Sequence, residues 1–236
     1  MVHLLPFSST LVTAAFAAAV LSRHARRGGT HLLFWGIGLI LYGLGTFSEA
    51  FLGLVWSPLI LRVWYICGAM LTAAWLGQGT LYLLVRKPGV ANGFAIGLAI
   101  ASGAAIVSVF LAPMTDAVYN VSLPASIQYK AIMVRGPLMT TLTILLNIYG
   151  TVLLVGGALY SAFLFRRKRV LAHRVFANVL IAAGALMPAS AGTFIKLGLA
   201  DWLYLSELLG AALMFTGFLQ ATSPQPAPKP ATQPAS

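Results

Sequence analysis

Read for apolar and polar positions alone, the chain divides into seven apolar stretches separated by short polar breaks. They lie near 4–22, 31–53, 58–85, 90–112, 138–165, 172–198 and 203–221. Each has about the 20 residues that an α-helix needs to cross the hydrocarbon of a bilayer. Lipid offers no partner for free backbone N–H and C=O groups, so each stretch must be a helix and not a strand. The pattern predicts an all-α, polytopic seven-helix bundle over residues 1–221. The Pro/Ala/Gln-rich tail, residues 222–236, reads as an extended cytoplasmic extension without a core.

Two breaks change this picture. The first stretch contains small residues at 14–19 that resemble a signal cleavage site, but its positive charge follows it, at Arg23–Arg27, and does not precede it. That is the reverse of a cleaved signal, so the first helix is expected to be retained. The longest break, about 113–137, contains Pro113, Asp116, Tyr119, Asn120, Pro124, Tyr129 and Lys130. A connection of that length either covers a site or is mobile. Its Asn120-Val121-Ser122 sequon is a weak pattern that matters only in a glycosylating host.

Composition agrees with the pattern: 59% of residues are apolar and 8% charged, with a mean hydropathy of +0.89. There is too little polar surface to cover a water-soluble globule. The net charge of +11 does not indicate nucleic acid, because the basic residues stand in short clusters between apolar runs.

Charge sign also orients the chain. Arg23, Arg26 and Arg27 follow the first stretch, Arg86 and Lys87 the third, and Arg166, Arg167, Lys168, Arg169 and Arg174 the fifth. With Lys229 they make eleven of the fifteen basic residues, and no acid stands among them. The four acids, Glu49, Asp116, Asp201 and Glu207, share the other side with Arg62, Lys130, Arg135 and Lys196. Short loops rich in Lys and Arg stay cytoplasmic, which places the N-terminus outside and the C-terminus inside a bacterial inner membrane. The basic clusters are then expected against anionic lipid headgroups.

Within the stretches, Gly38, Tyr42, Gly45 and Glu49 share one face of the second helix, and Gly93 and Gly97 one face of the fourth. Asn178, Ala182, Ala185, Ala189 and Thr193 do the same in the sixth. Small residues let helices approach closely, so these faces read as packing seams. Thr140, Thr143, Asn147 and Thr151 line one face of the fifth helix, and Gln78 lies with Trp75 and Tyr82 in the third. Asn147 and Gln78 need partners at mid-membrane, either interhelical or in a polar cavity. Pro188 is expected to kink the sixth helix.

The most specific constellation is a charged layer on the outer side. Glu49 and Glu207 lie about 6 Å below the boundary at 1.5 Å per residue, near Arg62 and Lys196. Trp64, Tyr65, Trp202 and Tyr204 stand at the same level, as an aromatic belt would. Because an unpaired charge there is costly, the expectation is two ion pairs, Glu49–Arg62 and Glu207–Lys196. The alternative use of the same carboxylates is a ligand site open to the outside.

Other chemistries lack their residues. The histidines His3, His24, His31 and His173 all fall at helix ends and give no facing pair for haem. No HExxH, nucleophile elbow or P-loop occurs, and the last helix has no deep lysine for retinal. Cys67 has no second cysteine to pair with and reads as a small buried hydrophobe. No enzyme activity and no cofactor are expected.

The run Phe34-Trp35-Gly36 through Tyr42-Gly43 and Glu49, followed by Leu61-Arg62-Val63-Trp64-Tyr65-Ile66-Cys67-Gly68, resembles the seven-helix sensor region ahead of bacterial histidine kinases and related signalling enzymes. The resemblance covers 5–221 in layout and 31–85 in residues. It implies a membrane sensor that binds a small or lipophilic ligand from outside; the binding candidates come from the charged layer and the polar stripes, Glu49, Arg62, Trp64, Glu207, Gln78 and Asn147. This chain ends in a Pro/Ala tail and not in a kinase, so the resemblance implies a separate signalling partner. Two other readings stay open: a structural or accessory subunit of a membrane complex, and a small-solute carrier or channel.

Overall fold

The computed structural model describes residues 4–85, 87, 89–167, 172–196 and 202–223. Side chains are not described at 4, 172–173 and 189–196. Eight helices account for nearly all of these residues: α1 Leu4–Arg27, α2 Thr30–Leu52, α3 Pro58–Leu84, α4 Val90–Leu111, α5 Ala125–Ile132, α6 Pro137–Arg167, α7 Ala172–Lys196 and α8 Trp202–Thr222. Among the described residues, β structure is limited to a single bridge, Met114 to Met133. α1, α2, α3, α4, α6 and α8 are long and apolar enough to cross a membrane, the anatomy of a multi-pass membrane protein.

Local chemistry sets the ends. α1 continues past the apolar stretch through Arg27 and stops at Gly28 and Gly29, whose φ of 67° and 100° suit only glycine. α3 starts at Pro58, with Ser57 accepting the Ile60 N–H, and α6 starts at Pro137; a first-turn proline has no N–H to leave unbonded. Two stretches inside the long helices widen into π-helix, Tyr65–Leu71 in α3 and Val152–Gly156 in α6. Such turns leave carbonyls that need other donors. Thr72 supplies one, its hydroxyl donating to the Cys67 carbonyl at 2.7 Å.

Successive long helices run in opposite directions. Gly36 meets Leu21 and Gly45 meets Gly68, while Trp75 donates to Ser102. α3 and α6 run parallel, since Tyr65 reaches Thr143 and Gly77 abuts Gly150. α1 also runs parallel to α8, with Phe16 stacked on Phe215 at 5.1 Å. Arg23, Arg26, Arg27, Lys87, Arg166, Arg167 and Arg174 therefore fall at one end, the arginine end; the 113–136 connection closes the other, the loop end. Arg86, Lys168, Arg169, Asp201 and the tail beyond Ser223 lie outside the described residues.

The closest seams are glycine against backbone. A Cβ on Gly150 would lie 2.1 Å from the Ala73 carbonyl carbon, and one on Gly45 would lie 2.8 Å from the Gly68 Cα. Gly184 and Gly210 meet in the same way between α7 and α8. The expected Gly93/Gly97 seam is not a packing seam in this chain: nothing lies within 4 Å of either position. α4 packs mainly on α3 and α6 and turns that face outward, with Ile96 and Ile100 63% and 69% exposed. Apolar faces this exposed suit lipid and not water.

Candidate functional site

The site is built from the loop end downward. Glu49, in the last turn of α2, is buried, and so is its partner Tyr204 of α8. One Glu49 oxygen, Oε1, accepts the Ala125 N–H at 2.9 Å and the Tyr204 hydroxyl at 3.2 Å. Ala125 opens the short helix α5, so the carboxylate stands at the positive end of that helix, where negative charge is stabilised. Arg62 of α3 donates to the Ala112 carbonyl at 3.0 Å, just past the end of α4, where positive charge is favoured. Glu49 and Arg62 form no ion pair. Arg62 instead fastens the start of the 113–136 connection and Glu49 its middle, at the start of α5, because helix termini offer the partial charges that an ion partner would otherwise supply.

That connection is a built cover. Its two ends pair, Thr115 N–H to the Ile132 carbonyl at 2.8 Å and Val134 N–H to the Pro113 carbonyl at 2.9 Å. Gln128 holds the turn between them, accepting from Asn120 N–H and donating to the Asn120 and Leu123 carbonyls. Tyr119 stacks on Trp56 at 4.5 Å, and Ala125, Ile132 and Met133 are buried. Burial raises the Tyr119 and Tyr129 hydroxyls above the ordinary phenol value, with the Glu49 charge adding to the effect on Tyr119.

Beneath the cover lies a cavity of about 400 Å³ among α2, α3, α6, α7 and α8. That volume lies within the range of small-molecule sites. Tyr129 forms part of its roof, with its ring 5.6 Å from Trp64 and 5.3 Å from Tyr65. Thr143, Asn147 and Thr151 line one wall, so the polar stripe of the fifth stretch does face an interior space. Tyr65 and Thr143 share a hydrogen bond of 3.0 Å. Asn147 donates to the Ala69 carbonyl, inside the π-segment of α3, at 2.7 Å and to the Thr143 carbonyl at 2.8 Å. Its amide thus does two things: it satisfies irregular backbone, and it borders the cavity.

Glu207 also lines the cavity. Its backbone carbonyl accepts the Tyr42 hydroxyl at 2.8 Å, tying α8 to α2. Its Oε2 is buried and has no hydrogen-bond partner among the described residues. The expected partner, Lys196, has a side chain outside the described residues.

Of the six expected binding residues, Trp64, Asn147 and Glu207 line the cavity, while Glu49 and Arg62 hold its cover. Gln78 is elsewhere. Fully buried nearer the arginine end, it donates to the Ala91 carbonyl at 2.8 Å and accepts from the Tyr149 hydroxyl, an interhelical tie. Tyr42, Tyr65, Thr143 and Tyr129 join the lining. In sequence, helical spacing places Tyr42 and Thr143 and the aromatic belt places Tyr65, but nothing local brings Tyr129 back over the bundle.

No protein-family model matches the chain, and no curated protein or solved structure matches it either. The fold and site define an all-helical, multi-pass membrane bundle with a covered interior cavity.

Proposed function

We propose that the chain is a receptor-type protein of a bacterial inner membrane, with α7 as a seventh span, the loop end outside and the arginine end cytoplasmic. It takes a small or lipophilic molecule into the central cavity from the outer side. A helix rearrangement then passes inward to a separate signalling partner, for which the exposed Arg166, Arg167 and Arg174 at the arginine end are the contact surface. The observation that carries this reading is the cavity itself, roofed by Tyr129 and bordered by the π-segment of α3. Widened helical turns are rare and frequently stand at functional sites. The resemblance of residues 31–85 to the sensor region of histidine kinases agrees with it, and Glu49 and Arg62 act in it by holding the cover.

The test is native mass spectrometry of the full chain purified from its own membrane, beside the variant Ala69→Phe, which fills the cavity. A bound small molecule present in the first and missing from the second is the expected result. A protein without small-molecule adducts but with a stoichiometric protein partner would overturn the receptor reading in favour of an accessory subunit. One observation favours that second reading: the α4 face with Gly93, Phe94 and Gly97 borders an open apolar groove of about 390 Å³. The carrier reading draws on the Thr143–Asn147–Thr151 wall. It requires solute flux in liposomes that Asn147→Leu abolishes.

A further inference from the structure

The cavity lining is chemically one-sided. Among the described residues, Tyr42, Trp64, Tyr65 and Tyr129 contribute aromatic side chains to it, and Glu207 is its only acid. Among the described residues no lysine, arginine or histidine lines it, although the chain has fifteen Lys and Arg residues against four Asp and Glu. The Arg62 guanidinium donates to the Ala112 carbonyl and the Arg135 guanidinium stands 5.2 Å from the Tyr129 ring, and neither residue lines the space. The Glu207 Oε2 is buried with no donor among the described residues. A carboxylate oxygen kept from water without a partner is strongly unfavourable, so the site is short of a cation or donor. Aromatic faces supply the complementary half, because ring quadrupoles attract a desolvated cation and a set of rings around one space is how alkylammonium groups are recognised. The remaining wall, from Leu76, Leu154, Val155 and Met214, is apolar and suits the hydrocarbon part of such a molecule.

We infer that the cavity binds an organic cation: an alkyl- or arylammonium whose charged head sits by Glu207 and the Trp64/Tyr65/Tyr129 rings, with its apolar part against Leu154 and Met214. This rests on the ligand-cavity reading above and names its ligand class. Size and polarity both fit, since a quaternary ammonium with one aromatic or short alkyl arm needs less space than the cavity provides.

The experiment uses the full chain in lipid nanodiscs and two probes of nearly equal shape, benzyltrimethylammonium and its uncharged carbon analogue neopentylbenzene, with binding followed by quenching of tryptophan fluorescence. The expected result is saturable binding of the cation, about tenfold or more tighter than the neutral probe. Glu207→Gln should remove that preference, and Trp64→Leu should weaken the cation more than the neutral probe. Gly97→Ala, on the lipid face, should leave both unchanged. Glu207→Asp and the circular dichroism of each variant separate lost recognition from lost folding. Equal binding of both probes, or a preference that survives in a folded Glu207→Gln protein, overturns the cation inference while leaving a ligand cavity in place. If neither probe binds, and Ala69→Phe also leaves the mass spectrum unchanged, the ligand reading fails with it. Cation binding that appears only in Lys196→Gln overturns the inference for the native protein, because Lys196 then occupies the cation position.

Discussion

Glu49 and Arg62 illustrate how a charge in a membrane protein finds its partner. Both lie near the loop end, where an ion pair between them is the simplest way to avoid an unpaired charge. Yet Glu49 accepts from Ala125 N–H and Tyr204, and Arg62 donates to the Ala112 carbonyl. The Ala125 N–H and the Ala112 carbonyl are helix-end backbone groups, which have no partner within their own helices. The two readings differ in a double-mutant cycle. Glu49→Gln and Arg62→Gln should each destabilise the detergent-solubilised protein by about 1–3 kcal/mol, as loss of a charged hydrogen bond does. Their effects should add, because the side chains do not touch; coupling above about 0.5 kcal/mol in chemical denaturation would restore the ion pair. Hydrogen exchange should rise at Ala125–Ile132 in Glu49→Gln, since its cover helix loses the negative charge at its N-terminus. Asn147→Leu, which strips a donor from the Ala69 carbonyl, should cost about 1–2 kcal/mol in the same assay.

Among the elements, the glycines sort into two kinds that sequence spacing does not separate. Gly93 and Gly97 have the familiar small-xxx-small spacing and face open space, whereas Gly77 and Gly150, on different helices, meet backbone to backbone. The distinction predicts opposite outcomes for one substitution. Gly150→Ala must push Ala73 away and should lower the melting temperature sharply or prevent folding. Gly97→Ala fills nothing that is occupied and removes a residue unfavourable in helices by about 1 kcal/mol, so its melting temperature should stay level or rise. A drop for Gly97→Ala equal to that for Gly150→Ala would show that α4 packs on another chain. The π-segment of α3 is the other element-scale feature. Tyr65–Leu71 presents Gly68 and Ala69 to the cavity and gives the Ala69 carbonyl to Asn147, so the widened turn and the polar stripe explain each other.

For the whole molecule, the alternation of helix direction gathers the described arginines at one end and the cover at the other, so the proposed orientation is open to a direct check. In a Cys67→Ala background, Ser122→Cys should react with an impermeant maleimide on intact cells, and Lys87→Cys only after lysis. The reverse order would invert the topology and put the cavity mouth on the cytoplasmic side. The exposed apolar faces of α4 and α6 agree with a bilayer around the bundle, since Ile100, Val152 and Phe163 are each more than half exposed.

Much of this architecture is local and was therefore legible in the chain. Apolar length alone fixes helical spans, because a bilayer allows no other use for them, and α2, α3, α4, α6 and α8 begin and end within a turn of the apolar stretches. Helix periodicity likewise placed Gly38, Tyr42, Gly45 and Glu49 on one face and Thr143 with Asn147 on another. What periodicity lacks is the rotation of each helix about its axis and the return path of a long connection, both of which depend on contacts between residues far apart in the chain. Those contacts turned Gly93 outward, gave Gln78 to Ala91 and Tyr149, and folded Tyr129 over Trp64 and Tyr65. The apolar and charge patterns settled which segments are helices and which ends carry the charge. Only tertiary packing decided that two of those charges hold a cover, and that a third, Glu207, lines the cavity beneath it.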